Sequence, residues 1–466
     1  MPPCFPQFVS GRAAMLPALE KQALRQCYQE SPRFAQTGLR RSAAQRDGPA
    51  GRDRGLENAA GNVNCHDMND ASLTYDVVVV GGGPAGLVAA IALAQAGANT
   101  ALVARRATYA DNRTTALLGG SIDFLQQLDV WPRCRDTAAA LQVMRLVDDT
   151  GRLIRAPEVR FSSGEIGLEQ FGYNIENRAL MLALEARAAE LPALTRFDDD
   201  ADMVSPADAD VAVRSAGGKS LSARLVAGAD GRQSLCREAA GIEVRRRGLD
   251  QAALTFNVSH SRSHHNISTE FHTPQGPCVF VPLPGDRCSV VWVAAPSEAE
   301  RLMALSDDEL SEAVETRSHS ILGRIHVEAG RHLFPLAIER PHQFARHRVA
   351  LVGEAAHVVP PIGAQGLNMG LRDAADVADL VRGAMASGDD PGSPAVLKRY
   401  DSARRGDVAS RTFAIDIANR SLLSDFLPTQ SLRAAGLHLI GSFGPLRRLA
   451  MREGLAPSWR TPRRAG

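Results

Sequence analysis

The chain has 466 residues, 44% apolar and 23% charged, and its 53 basic and 52 acidic side chains leave a formal charge of +1. This is the composition of a soluble globular protein long enough for several domains. So even a balance carries no broad footprint for nucleic acid, and the seven cysteines (Cys4, Cys27, Cys65, Cys134, Cys236, Cys278, Cys288) form no C-x-x-C pair, which argues against zinc ribbons and disulfide frameworks.

Residues 1–72 are rich in Pro, Gln, Arg, Ala and Gly, show no lasting apolar periodicity and are expected to be disordered. This Arg-bearing leader is similar in composition to a transit peptide, but it contains acids and lacks a signal-peptide apolar run. Met68 stands just before the first predicted strand, which leaves open whether the extension belongs to the functional protein. The charge-free stretch from Val77 to Ala104 is long enough to span a membrane, but Gly81, Gly82, Gly83 and Pro84 interrupt it. It reads instead as a buried strand, a tight turn and a helix carrying Leu87, Ile91 and Ala94.

A second strand over Thr100–Ala104 follows, beginning a βαβ unit and implying a parallel sheet. A helix is predicted over 179–191 and strands over 209–216 and 220–229. Strands over 253–259, 278–283 and 288–294 suggest a separate antiparallel sheet. Residues 348–352 form a further buried strand, Leu367, Leu371, Ala374, Ala378 and Val381 mark one face of a helix, and the C-terminal third is largely helical.

Gly81, Gly83 and Gly86 spell G-x-G-x-x-G after a strand and at the opening of a helix. The first glycine permits the turn, the second lets backbone approach a pyrophosphate, and the third lets helix and strand pack closely. Unpaired N–H groups at the helix start then favour phosphate. Ala104 stands where dinucleotide sites usually carry a ribose-binding acid, and Arg105 and Arg106 follow. Those arginines suit either a 2′-phosphate or a solvated strand end, so the fingerprint alone leaves FAD and NADP open.

Two later motifs narrow the choice. An Asp-Gly turn, Asp230-Gly231, follows the strand Leu225–Ala229. Farther on come Val352-Gly353-Glu354-Ala355-Ala356-His357, then Pro360, Pro361, Gly363, Gln365, Gly366 and Asn368. With these three motifs in this order, the chain resembles the class A flavoprotein monooxygenases. Asp111-Asn112-Arg113-Thr114-Thr115-Ala116-Leu117, Asn174-Ile175-Glu176-Asn177-Arg178 and Pro361 to Asn368 extend the likeness to the ubiquinone-biosynthesis hydroxylases, over about residues 73–456. Glu354 replaces the family's usual Asp, lengthening the carboxylate by one methylene, and Ala104 replaces its usual acid.

The resemblance implies an α/β fold. Its core is an FAD/NAD(P)-binding Rossmann-like parallel sheet of the glutathione-reductase type, with an inserted antiparallel substrate sheet and a helical C-terminus. The expected division is a discontinuous FAD domain (73–140, 176–243, 346–395), a substrate domain (141–175, 244–345) and a C-terminal helical region (396–466). FAD would be held by Gly81, Gly83, Gly86, Arg113, Asp230, Gly231, Gly353, Glu354, Pro361, Gly363, Gln365, Gly366 and Asn368, with Arg178 equally readable as an ordinary ion-pair residue. The helix opening near Leu367 would turn its positive end to the electron-rich edge of reduced flavin, and Gln365 and Asn368 would position the ring. NADH or NADPH would serve as transient donor, and the substrates would be oxygen and a polyprenylated phenol. No acid, base or nucleophile cluster stands out, as expected where the cofactor carries the chemistry. The alternatives are a hydroxylase of another aromatic, a halogenase or an isoprenoid reductase, and a non-catalytic flavin-bound scaffold of the quinone-biosynthesis assembly. A halogenase would show W-x-W-x-I, whereas tryptophan occurs only at 131, 292 and 459.

Other features read as structural. His260, His264, His265 and His272 make a polar strand-loop region and no metal site is expected, Gly217-Gly218-Lys219-Ser220 is a hairpin turn, and Arg245–Arg247 is a solvated run. His357 belongs to the late motif, where it serves either structure or general-base chemistry. Residues 432–451 set Leu437, Leu439, Ile440, Phe443, Leu446, Leu449 and Met451 against Arg433, Arg447 and Arg448. That pattern suits peripheral membrane contact or a helix packed on its own domain. The implied setting is cytoplasmic, at the inner face of the membrane, with other ubiquinone-biosynthesis proteins as partners.

Overall fold

The computed structural model describes residues 73–455 except 108, 110–111, 152–154, 362, 424–434, 437 and 440–441. The readings of residues 1–72 and of Asp111, Ile362, Arg433, Leu437 and Ile440 lie outside the described residues.

The first sheet is built on the strand Leu73–Val80, whose Val77, Val78 and Val79 are fully buried. A continuous valine run suits a central parallel strand because both faces of such a sheet are covered. On one side it pairs in parallel with Thr100–Val103, which pairs with Leu194–Phe197. On the other side it pairs with Ser220–Gly228, followed by Val349–Leu351. The segment 217–220 is the predicted hairpin, with Gly218 at φ +86 and the strand Val211–Ser215 returning antiparallel to Ser220–Gly228. The helix Pro84–Gln95 buries Leu87, Val88, Ile91 and Leu93 completely. Each such side chain contributes about 1.5–3 kcal/mol by burial, so the unit that carries the glycine turn is firmly held.

The second sheet runs through Val244–His260, Arg287–Ala294, Gly276–Leu283 and Ile267–Thr273, with His332–Pro341 also paired to the first of these. It is antiparallel except where Val143–Asp148 joins Ile267–Thr273 in parallel. That pair is formed by distant segments, and side-chain periodicity carries no information about it. A small third sheet of Thr114–Leu118, Gly172–Glu176 and Ala138–Leu141 stands apart from the two larger sheets. Two long helices, Gln365–Ala386 and Pro394–Leu423, follow, and Tyr400 of the second donates its hydroxyl to the Leu351 carbonyl at 2.7 Å; the last described helix, Gly444–Leu455, ties back through Arg447 to Glu165 at 2.6 Å.

Candidate functional site

The three cofactor motifs each begin beyond the carboxyl end of a parallel strand: Gly81–Gly86 after Val80, Asp230–Gly231 after Gly228, and Gly353–Glu354 after Leu351; Thr114–Leu117 and Asn174–Glu176 lie instead on antiparallel strands of the third sheet. The carboxyl edge of the parallel strands is where open α/β sheets bind ligands. Gly81 sits at φ +108, and a Cβ there would lie 2.3 Å from the Ala229 carbonyl oxygen. A Cβ on Gly86 would lie 2.0 Å from the Gly81 oxygen. Both glycines are therefore demanded by packing. A Cβ on Gly83, by contrast, would meet no protein atom within 4 Å. Gly83 caps the helix Pro84–Gln95, whose first turn holds no acidic residue, so the positive helix end is left to a ligand.

These residues open onto a cavity of about 740 Å³ that reaches from Gly81–Pro84, Arg113, Arg178, Asp230 and Gly231 to Ala104, Arg105 and Asp200. One carboxylate oxygen of Asp230 accepts from the Ser234 hydroxyl at 2.5 Å and the other from the Cys236 amide at 3.0 Å, so Asp230 anchors the short helix behind it while facing the cavity. Gly231 at φ +79 makes the turn. The arginines after Ala104 are also placed: Arg105 is exposed and ion-paired with Asp200 at 3.0 Å, and the Arg106 amide donates to Asp198 at 2.6 Å.

The late motif is held from behind by buried charge. The Gly353 amide and His357 Nε2 both engage Asp373 Oδ2, at 2.9 and 2.7 Å, and Arg404 meets Asp373 Oδ1 at 2.6 Å. Arg404 is wholly buried and also pairs with Asp376 and Asp407, each at 2.9 Å. Asp407 in turn binds Arg372 at 2.8 Å and Arg411 at 3.1 Å. Burial pushes the Asp373 carboxyl up, but the charges of Arg404 and His357 with the Gly353 amide outweigh it and hold the group below the usual carboxylate range. Burial lowers Arg372 to about 10. His357 is thus a buried brace, locked on Asp373.

Gly363 at φ +64 and Ala364 at φ +55 swing the chain into the helix Gln365–Ala386. Two predicted ring-positioning side chains are engaged within the protein. Gln365 accepts from Arg411 at 2.8 Å and donates to the Gly363 carbonyl at 2.9 Å. Asn368, fully buried, accepts from the Leu118 amide and the Ser121 hydroxyl at 3.0 and 2.6 Å and donates to the carbonyls of Ala116 and Ala364 at 2.8 and 2.5 Å. They fix where the helix begins. Gly366 would meet nothing within 4 Å if given a Cβ.

A second chamber, about 250 Å³, adjoins this edge. Ala253, Thr255, Asn257, Ser289, Val291 and Phe334, on cross-strand partners of the second sheet, line one side. Glu354, Val358 and Pro361 of the late motif line the other. Arg113 lines both cavities, with its guanidinium 5.5 Å from the Phe334 ring centroid. The larger space therefore suits a dinucleotide with its phosphates at the early turn, and the smaller one a planar ring beside the second sheet.

The residues missed in the sequence are the charges behind the site. Asp373 and Asp376, flanked by buried Leu371, Ala374 and Val377, were a readable signal, because charge on the apolar face of a helix demands partners. Of the remaining features, His264 Nε2 bonds the carbonyls of Leu283 and Gly285, both at 3.0 Å, and His272 bonds Glu270 at 2.9 Å. Among the described residues no three His, Cys, Asp or Glu side chains gather in a metal-binding group, and no helix is long and apolar enough to cross a membrane. Arg246 pairs with Glu339 at 3.1 Å and Arg247 with Asp416, so part of the Arg245–Arg247 run is ion-paired rather than only solvated.

Residues 74–414 match the FAD binding domain family. The ubiquinone hydroxylase UbiL of Rhodospirillum rubrum is 33% identical over 392 residues, spanning 83% of this chain and 90% of that protein. The 3-demethoxyubiquinol 3-hydroxylase of Escherichia coli is 30% identical over 404 residues, spanning 82% of this chain and 98% of that protein. Among solved structures, p-nitrophenol 4-monooxygenase PnpA of Pseudomonas putida has the same fold, with a TM-score of 0.69, 22% identity and coverage of 84% of this chain and all of that one.

Proposed function

The chain belongs to the FAD binding domain family of flavin-dependent monooxygenases, and from that premise we propose that it hydroxylates the ring of a polyprenylated phenol in ubiquinone biosynthesis. The observation that carries the proposal is the pairing of a dinucleotide cavity with a ring-sized, largely apolar chamber, both lined by Arg113. Kinship with ubiquinone hydroxylases over nearly the whole described chain supplies the substrate class.

Bound FAD supplies the redox chemistry, passing two electrons from NADH or NADPH to oxygen so that one oxygen atom enters the ring and the other leaves as water. The chain's own residues bind, orient and exclude solvent. The N–H groups after Gly83 and the start of the helix Pro84–Gln95 would hold the pyrophosphate. Gly81, Gly86 and Gly231 shape the turns around it, and Asp230 and Arg113 supply charge at the cavity wall. Gly363 and Ala364, backed by Asn368 and the Arg404 cluster, would present the positive end of the 22-residue helix Gln365–Ala386 to the electron-rich flavin edge. Ala253, Val291, Phe334 and Val358 keep water from the acceptor ring. A chamber of 250 Å³ accommodates a ring but not a long prenyl tail, so the tail lies outside it. Exposed Leu439, Phe443 and Leu449, with Arg448 alongside, provide an apolar, basic surface for peripheral contact with the membrane in which such a tail dissolves.

The test is turnover of FAD-loaded protein with NADH or NADPH, 2-prenylphenol and ¹⁸O₂. A product carrying one labelled oxygen, with nicotinamide oxidation stimulated by the phenol, is the expected result. Unlabelled product or no stimulated oxidation overturns the proposal.

A further inference from the structure

The adenosine end of the large cavity lacks the acid that dinucleotide sites place at the end of the second strand, where Ala104 stands. The glycine turn packs closely on Ala104, for a Cβ added to Gly82 would lie 2.8 Å from the Ala104 Cβ. The Ala104 carbonyl accepts from Arg196 at 3.3 Å, and Arg196 is itself held by Glu185 at 2.7 Å. The sheet provides a carboxylate one strand away. Val103 and Phe197 are register partners in adjacent parallel strands, so residues 198–200 leave the sheet beside Ala104. Asp200 lines the cavity together with Ala104 and Arg105. Apart from Asp230 at the phosphate end, it is the only acidic residue among the described cavity-lining residues.

We propose that Asp200 holds the adenosine ribose of FAD, taking the place of the missing strand-end acid, and that its pairing with Arg105 sets the choice between a free and a phosphorylated ribose. A carboxylate accepts from ribose hydroxyls, and Arg105 at 3.0 Å engages one side of it while leaving further lone pairs for the ligand. A 2′-phosphate brought to the same place meets the Asp200 charge, and the cation that would welcome it is already neutralised by that charge. The fingerprint's ambiguity between FAD and NADP is thus resolved by a residue nearly a hundred positions away. The inference rests on FAD occupying the 740 Å³ cavity and is independent of the phenol substrate.

The test uses FAD-stripped full-length protein, with FAD binding followed by flavin fluorescence. ADP, 2′,3′-dideoxy-ADP and 2′-phospho-ADP serve as competitors. Wild-type protein is expected to prefer ADP over the dideoxy analogue by about tenfold to a hundredfold, the range of a hydrogen bond to a charged group, and to bind the 2′-phosphate worst. In Asp200→Ala the preference for ADP falls toward unity, FAD binds about tenfold to a hundredfold more weakly, and 2′-phospho-ADP gains as Arg105 is released. Asp200→Asn gives the same direction if the alanine variant does not fold. Asp199→Asn, whose native side chain accepts from the Gly217 amide in the hairpin, keeps the wild-type ratio. An ADP preference that is absent in wild type, or that survives in both Asp200 variants, overturns the proposal. Failure of wild-type protein to bind FAD at all overturns the cofactor placement with it, so the two failures are distinguishable.

Discussion

Substituting Gly83 separates folding from cofactor binding in one residue. Its backbone lies at φ −67 and ψ 173, an ordinary conformation for any L-residue, and an added Cβ meets no protein atom within 4 Å. Gly83→Val therefore costs the apoprotein only the difference between glycine and a branched residue at a helix cap, about 1 kcal/mol. The same side chain projects into the space the pyrophosphate needs. Two charge-assisted N–H bonds to phosphate, at about 1.5–3 kcal/mol each, would be lost, which corresponds to a roughly hundredfold to ten-thousandfold weaker FAD affinity. Gly86→Ala has the opposite profile, because its Cβ would lie 2.0 Å from the Gly81 oxygen and the first strand and helix would have to separate. The assay is urea denaturation of the stripped proteins together with FAD titration. Gly83→Val should unfold close to wild type yet purify without flavin, whereas Gly86→Ala should be unstable before any cofactor is added. Full retention of FAD by Gly83→Val refutes this placement of the pyrophosphate.

Replacing Arg404 by Met leaves the carboxylates of Asp373, Asp376 and Asp407 without their shared cation, at a cost of about 3–5 kcal/mol. The native Asp373 value is depressed, so its contribution is present above the unfolded carboxylate value of about 3.9 and is lost as pH falls through the lower folded value. Without Arg404, burial prevails and raises the Asp373 value; the variant's deficit is then greatest near neutrality and shrinks toward pH 4, and a deficit in urea midpoint that does not change with pH refutes the argument. Asn368→Leu removes the partners of two donors and two acceptors and should cost about 2–4 kcal/mol. Its FAD content should fall as the helix start shifts, while a variant with native stability and full flavin would show that Asn368 braces nothing.

The three motifs were legible because their residue types are dictated by local backbone: Gly81 at φ +108, Gly231 at φ +79 and Gly353 at φ +64 each occupy a conformation that side chains disfavour. The parallel sheet was legible for a related reason, since the unbroken run Val77–Val80 fits only a strand covered on both faces. Gln365 and Asn368 illustrate the limit of that approach. Their position next to the turn was correctly placed, but which way a carboxamide faces is decided by Arg411, Leu118 and Ser121, drawn from segments far away in the chain. Arg404 reads as an ordinary helix-surface arginine until the helix Gln365–Ala386 sets Asp373 and Asp376 opposite it. Asp200 is hidden more completely, since its relevance depends on the pairing of Val103 with Phe197. Ligand-facing backbone is thus encoded in glycine and proline identity, where a sequence displays it, whereas ligand-facing and bracing side chains acquire their roles from pairings between distant segments. A departure such as Ala104 is therefore informative about its neighbours: once the expected acid is absent from its own strand, the adjacent strand in the sheet is the first place where geometry allows a replacement.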